Sequence, residues 1–370
     1  MKQTLGVILN NQDVDLDALT SVRGVTTLPF GGRYRLVDFA LSNMVNAGIK
    51  KIGVFGSNKY RSLIDHIGTG QEWSLSRKSQ DLMVLQGGAL NYISAPTSRI
   101  NLLDFFDNYG FFHRPGYSDM AIFASNVVCN LDLKPILAAH RDSDADVTIV
   151  CVRYMGAASD GSRSLGVLAD DKGRVMQFSE YNAKGFDRIY MDMMFIKTSI
   201  VHRFIEQSRI THSYDLIEAL GRYLNDITIK VYDYAGYIRR IDSTTAYYQC
   251  SMDLLNPAIS DRLFGGDRMI YTKVKDNNPT MYGASSRVLS SLVASGCEID
   301  GTVDSSIIFR DTDIAQGAIV KNSVVMESCK IGANVILENV ILDRNTTISN
   351  DVVLQGTPDK PVVLGKETAI

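Results

Sequence analysis

The chain has 370 residues, 45% of them hydrophobic and 21% charged, with a mean hydropathy of -0.01. That leaves room for two domains of ordinary globular composition and excludes disorder, collagen and small disulfide-stapled scaffolds. A net charge of -3 and a pI near 6.0 give no excess of Lys or Arg to neutralise a polyphosphate backbone, so no nucleic-acid partner is expected. The longest apolar runs, such as 120–124, fall far short of the roughly 20 residues of a bilayer span, and 1–9 lacks a cleavage-site pattern. No membrane partner and a cytoplasmic location are therefore expected.

Short β-branched runs alternate with amphipathic stretches from the start. A strand is expected over 4–9, a helix over 37–47, a strand over 51–55 and a helix over 60–67. Further strands are expected over 120–124, 147–152, 166–169, 189–196 and 227–232, with helices over 133–141, 200–207 and 214–223. This rhythm implies an α/β sheet with covering helices. The stretch 256–283, with Pro257, Pro279, Gly265, Gly266, Asp276, Asn277 and Asn278, reads as a linker between an α/β domain over 1–255 and a second domain over 284–370.

From about Gly296 the pattern becomes dense Val and Ile interrupted by Asn, Asp, Ser and Gly, and it repeats every 17 residues, as between Asn322 and Asn339. The same shift superposes Ile314 on Ile331 and Ile348, and Val320 on Leu337 and Leu354, while Val324 falls on Val340 or its neighbour Ile341. One step back pairs Val303 with Val320 and Ile307 with Val324. Too short for a helical repeat, the period fits one coil of a β-solenoid whose Ile and Val stack inward. Ordinary sandwich strands are the alternative, because alternation alone does not separate the two.

The five cysteines, Cys129, Cys151, Cys250, Cys297 and Cys329, show no CxxC spacing, which suits packing roles in a reducing compartment rather than structural zinc. The five histidines, His66, His113, His140, His202 and His212, lie in different elements without ligand spacing and read as solvated or structural. None lies beyond residue 212, which disfavours acyl transfer on the solenoid. The aromatic run Phe105, Phe106, Tyr109, Phe111 and Phe112 reads as core or subunit contact.

The segment PFGGRYRLVDFALSN over 29–43 resembles the PFGGKYRIIDFPLSN segment of the bacterial ADP-glucose pyrophosphorylases. The resemblance continues through Asn46, Ala47 and Gly48 to Val54, through HIGTG over 66–70 followed by Trp73, and through Ala246, Tyr247 and Met252 to Leu255, so that it covers essentially the whole chain. It implies a Rossmann-like nucleotidyltransferase domain with a mixed sheet, followed by a C-terminal left-handed parallel β-helix. In that family a sugar 1-phosphate attacks the α-phosphorus of ATP, and the solenoid helps build a tetramer. Such transfer needs backbone amides and cations on the triphosphate and carboxylates on Mg²⁺.

The resemblance also shows which of those groups are replaced. In the family's glycine-rich first loop, Asn10, Asn11 and Asp13 stand where glycines should be, Asp15 replaces an arginine, Val25 replaces a lysine, and Arg23 is retained. Asp13, Asp15 and Asp17 would meet a triphosphate with like charge, at about a few kcal/mol per close contact. Asn126 stands at one metal aspartate and Arg240 at the other, and Tyr181 replaces the lysine that meets the sugar phosphate. Glu180 and Asp215 survive as vestigial substrate-binding groups, with a capping or surface role as the alternative. Arg33 stands where the family has a lysine associated with phosphorylated effectors, and Arg33 and Arg35 can fork onto a phosphate, with a solvated Arg pair on a loop as the alternative.

With these replacements the resemblance implies a catalytically degenerate companion subunit within that family, with no catalytic residues, no bound metal and no cofactor. The expected partners are a catalytic sister subunit, in a heterotetramer, and a phosphorylated sugar effector. The alternative is an active glucose-1-phosphate adenylyltransferase with a rearranged site, which alone would need Mg²⁺.

Overall fold

The structure is a computed structural model, which describes residues 3–10, 14–56, 59–76, 81–87, 100–153, 164–180 and 186–370. The chain forms two compact units, each built from more than one segment. One comprises Met1–Asp13, Phe39–Arg240 and Arg268–Tyr271, and the other Val14–Asp38, Ile241–Asp267 and Thr272–Ile370. The stretch read as a linker holds the helix Pro257–Phe264, whose start is fixed by proline in its first turn and by the Asn256 side chain accepting from Ala258 N at 3.0 Å. Among the described residues no helix is long and apolar enough to cross a membrane.

The first unit is built on a nine-stranded mixed sheet. Its main path runs Val175–Glu180, Leu165–Ala169, Arg188–Lys197, Tyr117–Ala124, Gln3–Leu9, Lys51–Phe55 and Leu82–Leu85, with Val147–Arg153 also on Arg188–Lys197 and Ile229–Asp233 beyond it. The near-continuous burial of Gln3–Leu9 and Lys51–Phe55 is what parallel strands covered on both faces require. Gln3–Leu9 lies parallel to Lys51–Phe55 on one side and to Tyr117–Ala124 on the other. The strand order therefore reverses about it, and the carboxyl ends of Gln3–Leu9 and Tyr117–Ala124 flank the crevice where open α/β sheets take ligands.

The helices that cover this sheet begin where the sequence supplies side-chain caps. Asp132 caps Leu133–Asp142 through Lys134 N at 3.1 Å, and Asn101 caps Leu102–Asp107 through Leu103 N at 2.9 Å. Of the aromatic run, Phe105, Phe111 and Phe112 are core, whereas Phe106 and Tyr109 reach the surface. All five cysteines are buried and free. His140 is buried with Nδ1 2.8 Å from the Thr148 hydroxyl, a structural histidine.

In the second unit, 281–364 forms three five-stranded parallel sheets, each adding one short strand per coil, and the result is a left-handed β-helix. Ile314, Ile331 and Ile348 stack in one sheet, and Val303, Val320, Leu337 and Leu354 in another, as the 17-residue shift requires. Val324 opposes Ile341 rather than Val340, which keeps the inward column in register. The earlier step is shorter, with Val288 opposite Val303. Each inward Ile or Leu removed from water contributes about 1.5–3 kcal/mol.

The polar interruptions are the corners of the coils. Ser305, Asn322 and Asn339 have φ of 49°, 46° and 53°; Asp311, Ser328 and Asn345 have 57°, 61° and 58°; Asn334 and Asp351 follow Gly317 at 58° and 63°. Left-handed backbone costs most residues roughly 1–2 kcal/mol but is tolerated by Asn, Asp and Gly. The solenoid can thus turn three times per coil.

Candidate functional site

In the first unit the crevice gathers residues that were far apart in sequence. Ser125 N donates to Leu9 O at 3.1 Å, holding 124–126 beside the end of Gln3–Leu9, where Asn10 follows. Asn126 is fully buried. The strand Val127–Cys129 pairs antiparallel with Ile238–Arg240, and Arg240 lies opposite Val127, so Arg240 and Asn126 are neighbours across one ladder. Asn43, from the LSN end of the 29–43 segment, braces that ladder: its Nδ2 donates to Cys129 O and its Oδ1 accepts from Leu131 N, both at 3.1 Å.

The Arg240 side chain is 4% exposed and forms an ion pair with Asp192 at 2.9 Å, an Nη1 bond to Ser164 Oγ at 3.2 Å and an Nη2 bond to the Tyr190 carbonyl. Asp192 was not singled out in the sequence. A lone carboxylate inside the apolar run 189–196 was the available signal. In the strand Arg188–Lys197 the register with Val147–Arg153 shifts between Tyr190 and Met194, and within that shift Asp192 takes φ 52°, conformational cost included. What these described residues offer a divalent cation is an amide and a guanidinium already paired with a carboxylate, a donor set that does not fit Mg²⁺. Among the described residues no group of three or more His, Cys, Asp or Glu could hold a metal ion.

Of the sugar-side residues, Asp215 is the one whose side chain is among the described residues. Asp215 caps the helix Leu216–Arg222, its Oδ1 accepting from Glu218 N at 2.9 Å, which is the capping role rather than a free substrate carboxylate. Glu180 ends the strand Val175–Glu180 opposite Leu165, while its side chain, together with Asn11, Asp13 and Tyr181, lies outside the described residues.

The second unit holds the remaining residues. The Asp15 carboxylate accepts from Asp17 N and from the Thr20 hydroxyl, both at 3.0 Å, so it stabilises its own turn. Val25 is buried in a short 3₁₀ turn. Arg23, expected as a residual substrate group, is instead buried with Nη2 at 2.5 and 2.6 Å from the two carboxylate oxygens of Asp343, which is fully buried.

Arg33 and Arg35 come from the hairpin Pro29–Phe30 and Tyr34–Arg35. Its turn needs glycine: Gly32 has φ 81°, and a Cβ there would lie 2.9 Å from Leu292. Arg33 sits 5.1 Å over the Tyr34 ring, and Tyr34 stacks on Phe264 at 4.8 Å. Burial, and then the charge of Arg344, pushes the Arg35 guanidinium down to about 10. Arg310 is lowered by burial and by Arg33. Glu327 is the local counter-charge, bonded to Lys275 and to Arg344 at 2.8 Å; although burial opposes it, these cations hold its carboxyl below the usual range. The solenoid cations Arg310 and Arg344 carried no motif by which the sequence could have placed them beside Arg33 and Arg35. A cluster of mutually repelling guanidinium groups is suited to a phosphate-bearing anion.

A mixed sheet with a crevice at its reversal strand, followed in the chain by a three-sided parallel solenoid, defines a nucleotidyltransferase-like protein with a C-terminal hexapeptide domain. Comparison agrees: a family described as Nucleotidyl transferase matches 16–207, and one described as GlmU-like, C-terminal hexapeptide matches 275–360. The chain is 34% identical over 365 residues to the Glycogen biosynthesis protein GlgD of Bacillus subtilis (strain 168), covering 98% of this chain and 96% of that protein. It is 34% identical over 318 residues to GlgD of Geobacillus stearothermophilus, covering 85% and 82%. It is 29% identical over 360 residues to the Glucose-1-phosphate adenylyltransferase of Fervidobacterium nodosum, covering 95% and 85%. The chain belongs to the GlgD family.

Proposed function

We propose that this chain is a non-catalytic or very weakly active regulatory subunit of ADP-glucose pyrophosphorylase in bacterial glycogen biosynthesis, acting by assembly with an active sister subunit. The observation that carries the reading is the pairing of Arg240 with Asp192 beside Asn126. Oriented charge neutralisation is most of what phosphoryl and nucleotidyl transfer requires, and here a cation is spent on an internal carboxylate. The names of the relatives, a glycogen biosynthesis protein and glucose-1-phosphate adenylyltransferases, support a role in glycogen biosynthesis. The regular solenoid is the surface on which a subunit can be valued for assembly.

The test is to assay the chain alone and mixed with the sister subunit, after size-exclusion chromatography with light scattering. Expected are no ADP-glucose from the chain alone, a hetero-oligomer on mixing, and a changed apparent substrate affinity or maximal rate. Turnover of about 1 per second or more without the partner, or two non-interacting peaks, would overturn it.

The same reading assigns Arg33 and Arg35, with Arg310 and Arg344, to a phosphorylated sugar effector. Support comes from Arg35 and Arg310, each lowered first by burial and then by a neighbouring guanidinium, that of Arg344 and of Arg33 respectively, a repulsion that an anion would relieve. Arg33→Ala should weaken the effector response of the mixture while leaving assembly unchanged. An unaltered response removes the assignment.

A further inference from the structure

We propose that Arg240 is a phosphate-class anion seat kept closed by the chain's own Asp192, an autoinhibitory contact inside the crevice. Two observations carry this beyond an ordinary ion pair. First, the guanidinium is held on two sides: the Tyr190 carbonyl and the Ser164 hydroxyl accept from its Nη atoms, while Asp192 approaches Nε to 2.9 Å as an ion pair and leaves that buried N–H without a hydrogen bond. A guanidinium fork takes a carboxylate oxygen and a phosphate oxygen in the same way. Second, the carboxylate reaches it from a backbone that any residue but glycine, asparagine or aspartate would resist. Asp192 has φ 52° inside a strand whose pairing is interrupted at that point, so the bulge serves to aim this side chain rather than to extend the sheet.

The pair is nearly dry, with side-chain exposures of 4% for Arg240 and 10% for Asp192, and it lies beside Asn126 at the end of the crevice strands. Removal of the carboxylate therefore leaves a buried, pre-aimed cation without its anion, and an exogenous oxyanion regains what the internal one supplied. The inference deepens the reading of this crevice as closed to chemistry. It is tested by binding to the isolated chain, so its failure leaves the mixed-subunit assays untouched, and theirs leaves it untouched.

The experiment is calorimetric titration of inorganic pyrophosphate into the full chain, wild type against Asp192→Gly, which removes the carboxylate and suits the left-handed backbone. Binding should tighten at least tenfold, equivalent to about 1.4 kcal/mol, and Asp192→Gly combined with Arg240→Met should lose the gain. The double variant separates this seat from the Arg33 and Arg35 cluster, whose contribution is common to all three proteins. Asp192→Asn, which keeps the side-chain shape, is the second variant and should also gain. Equal affinity in wild type and variants, or folded variants with no gain, overturns the proposal. If both single variants are soluble only when refolded in pyrophosphate the proposal stands. Insolubility with and without it overturns the proposal.

Discussion

Arg23 and Asp343, 320 positions apart in sequence, meet as a buried ion pair in which Nη2 contacts both carboxylate oxygens. Asp343 is fully buried and Arg23 is 4% exposed. Arg23→Ala leaves an uncompensated buried carboxylate and should cost about 3–5 kcal/mol. Removing both charges together, Arg23→Met with Asp343→Leu, should recover most of that loss. Urea denaturation of the two variants checks it, and a double variant as unstable as the single one would show that lost packing, not stranded charge, dominates.

A corner of the solenoid gives a second prediction. Asn339 has φ 53°, donates from Nδ2 to Gly356 O at 3.2 Å and accepts at Oδ1 from the Tyr248 hydroxyl at 3.0 Å. Asn339→Ala loses both bonds and takes up left-handed strain, so it should destabilise by about 2–3 kcal/mol. Asn339→Gly loses the bonds without the strain and should cost roughly half as much. If thermal unfolding ranks the two variants equally, the backbone is not the deciding factor.

Glu327 makes stability depend on acid pH. Its folded carboxyl is held below the ordinary 4.5, because Lys275 and Arg344 outweigh burial. A depressed acid contributes stability that is fully present above its unfolded pKa and lost as pH falls through the folded one. Glu327→Gln should therefore be less stable than wild type by about 1–2 kcal/mol near neutral pH. The gap should stay level down to roughly pH 5 and close below 4.5. Denaturant midpoints across that range would reverse the assignment if the gap widened on acidification.

The crevice predicts that repair must be collective. Asn126→Asp restores one carboxylate, but Arg240 remains paired with Asp192. Groups that act as a unit are strongly non-additive. The single variant should stay below about 1 per second in ADP-glucose formation, and substantial turnover from it alone would mean that the other replacements matter little.

Where structure depends on neighbours in sequence, the sequence by itself was sufficient. Short β-branched runs located Lys51–Phe55 and most other strands of the nine-stranded sheet, because strand propensity is set within a few residues. The 17-residue spacing of Asn322 and Asn339 favoured a solenoid coil over sandwich strands, and in the structure both Asn residues sit at its left-handed corners. The replacement of the family's carboxylates by Asn126 and Arg240 was legible one position at a time. Only the tertiary structure decided what those residues face. Asp192 reaches Arg240 through a register shift that no local pattern announces, Arg33 and Arg35 acquire Arg310 and Arg344 as neighbours, and Arg23 is committed to Asp343. Such pairs are fixed by chain paths that close over hundreds of residues, and their energies come from burial and approach rather than from the identity of either residue alone.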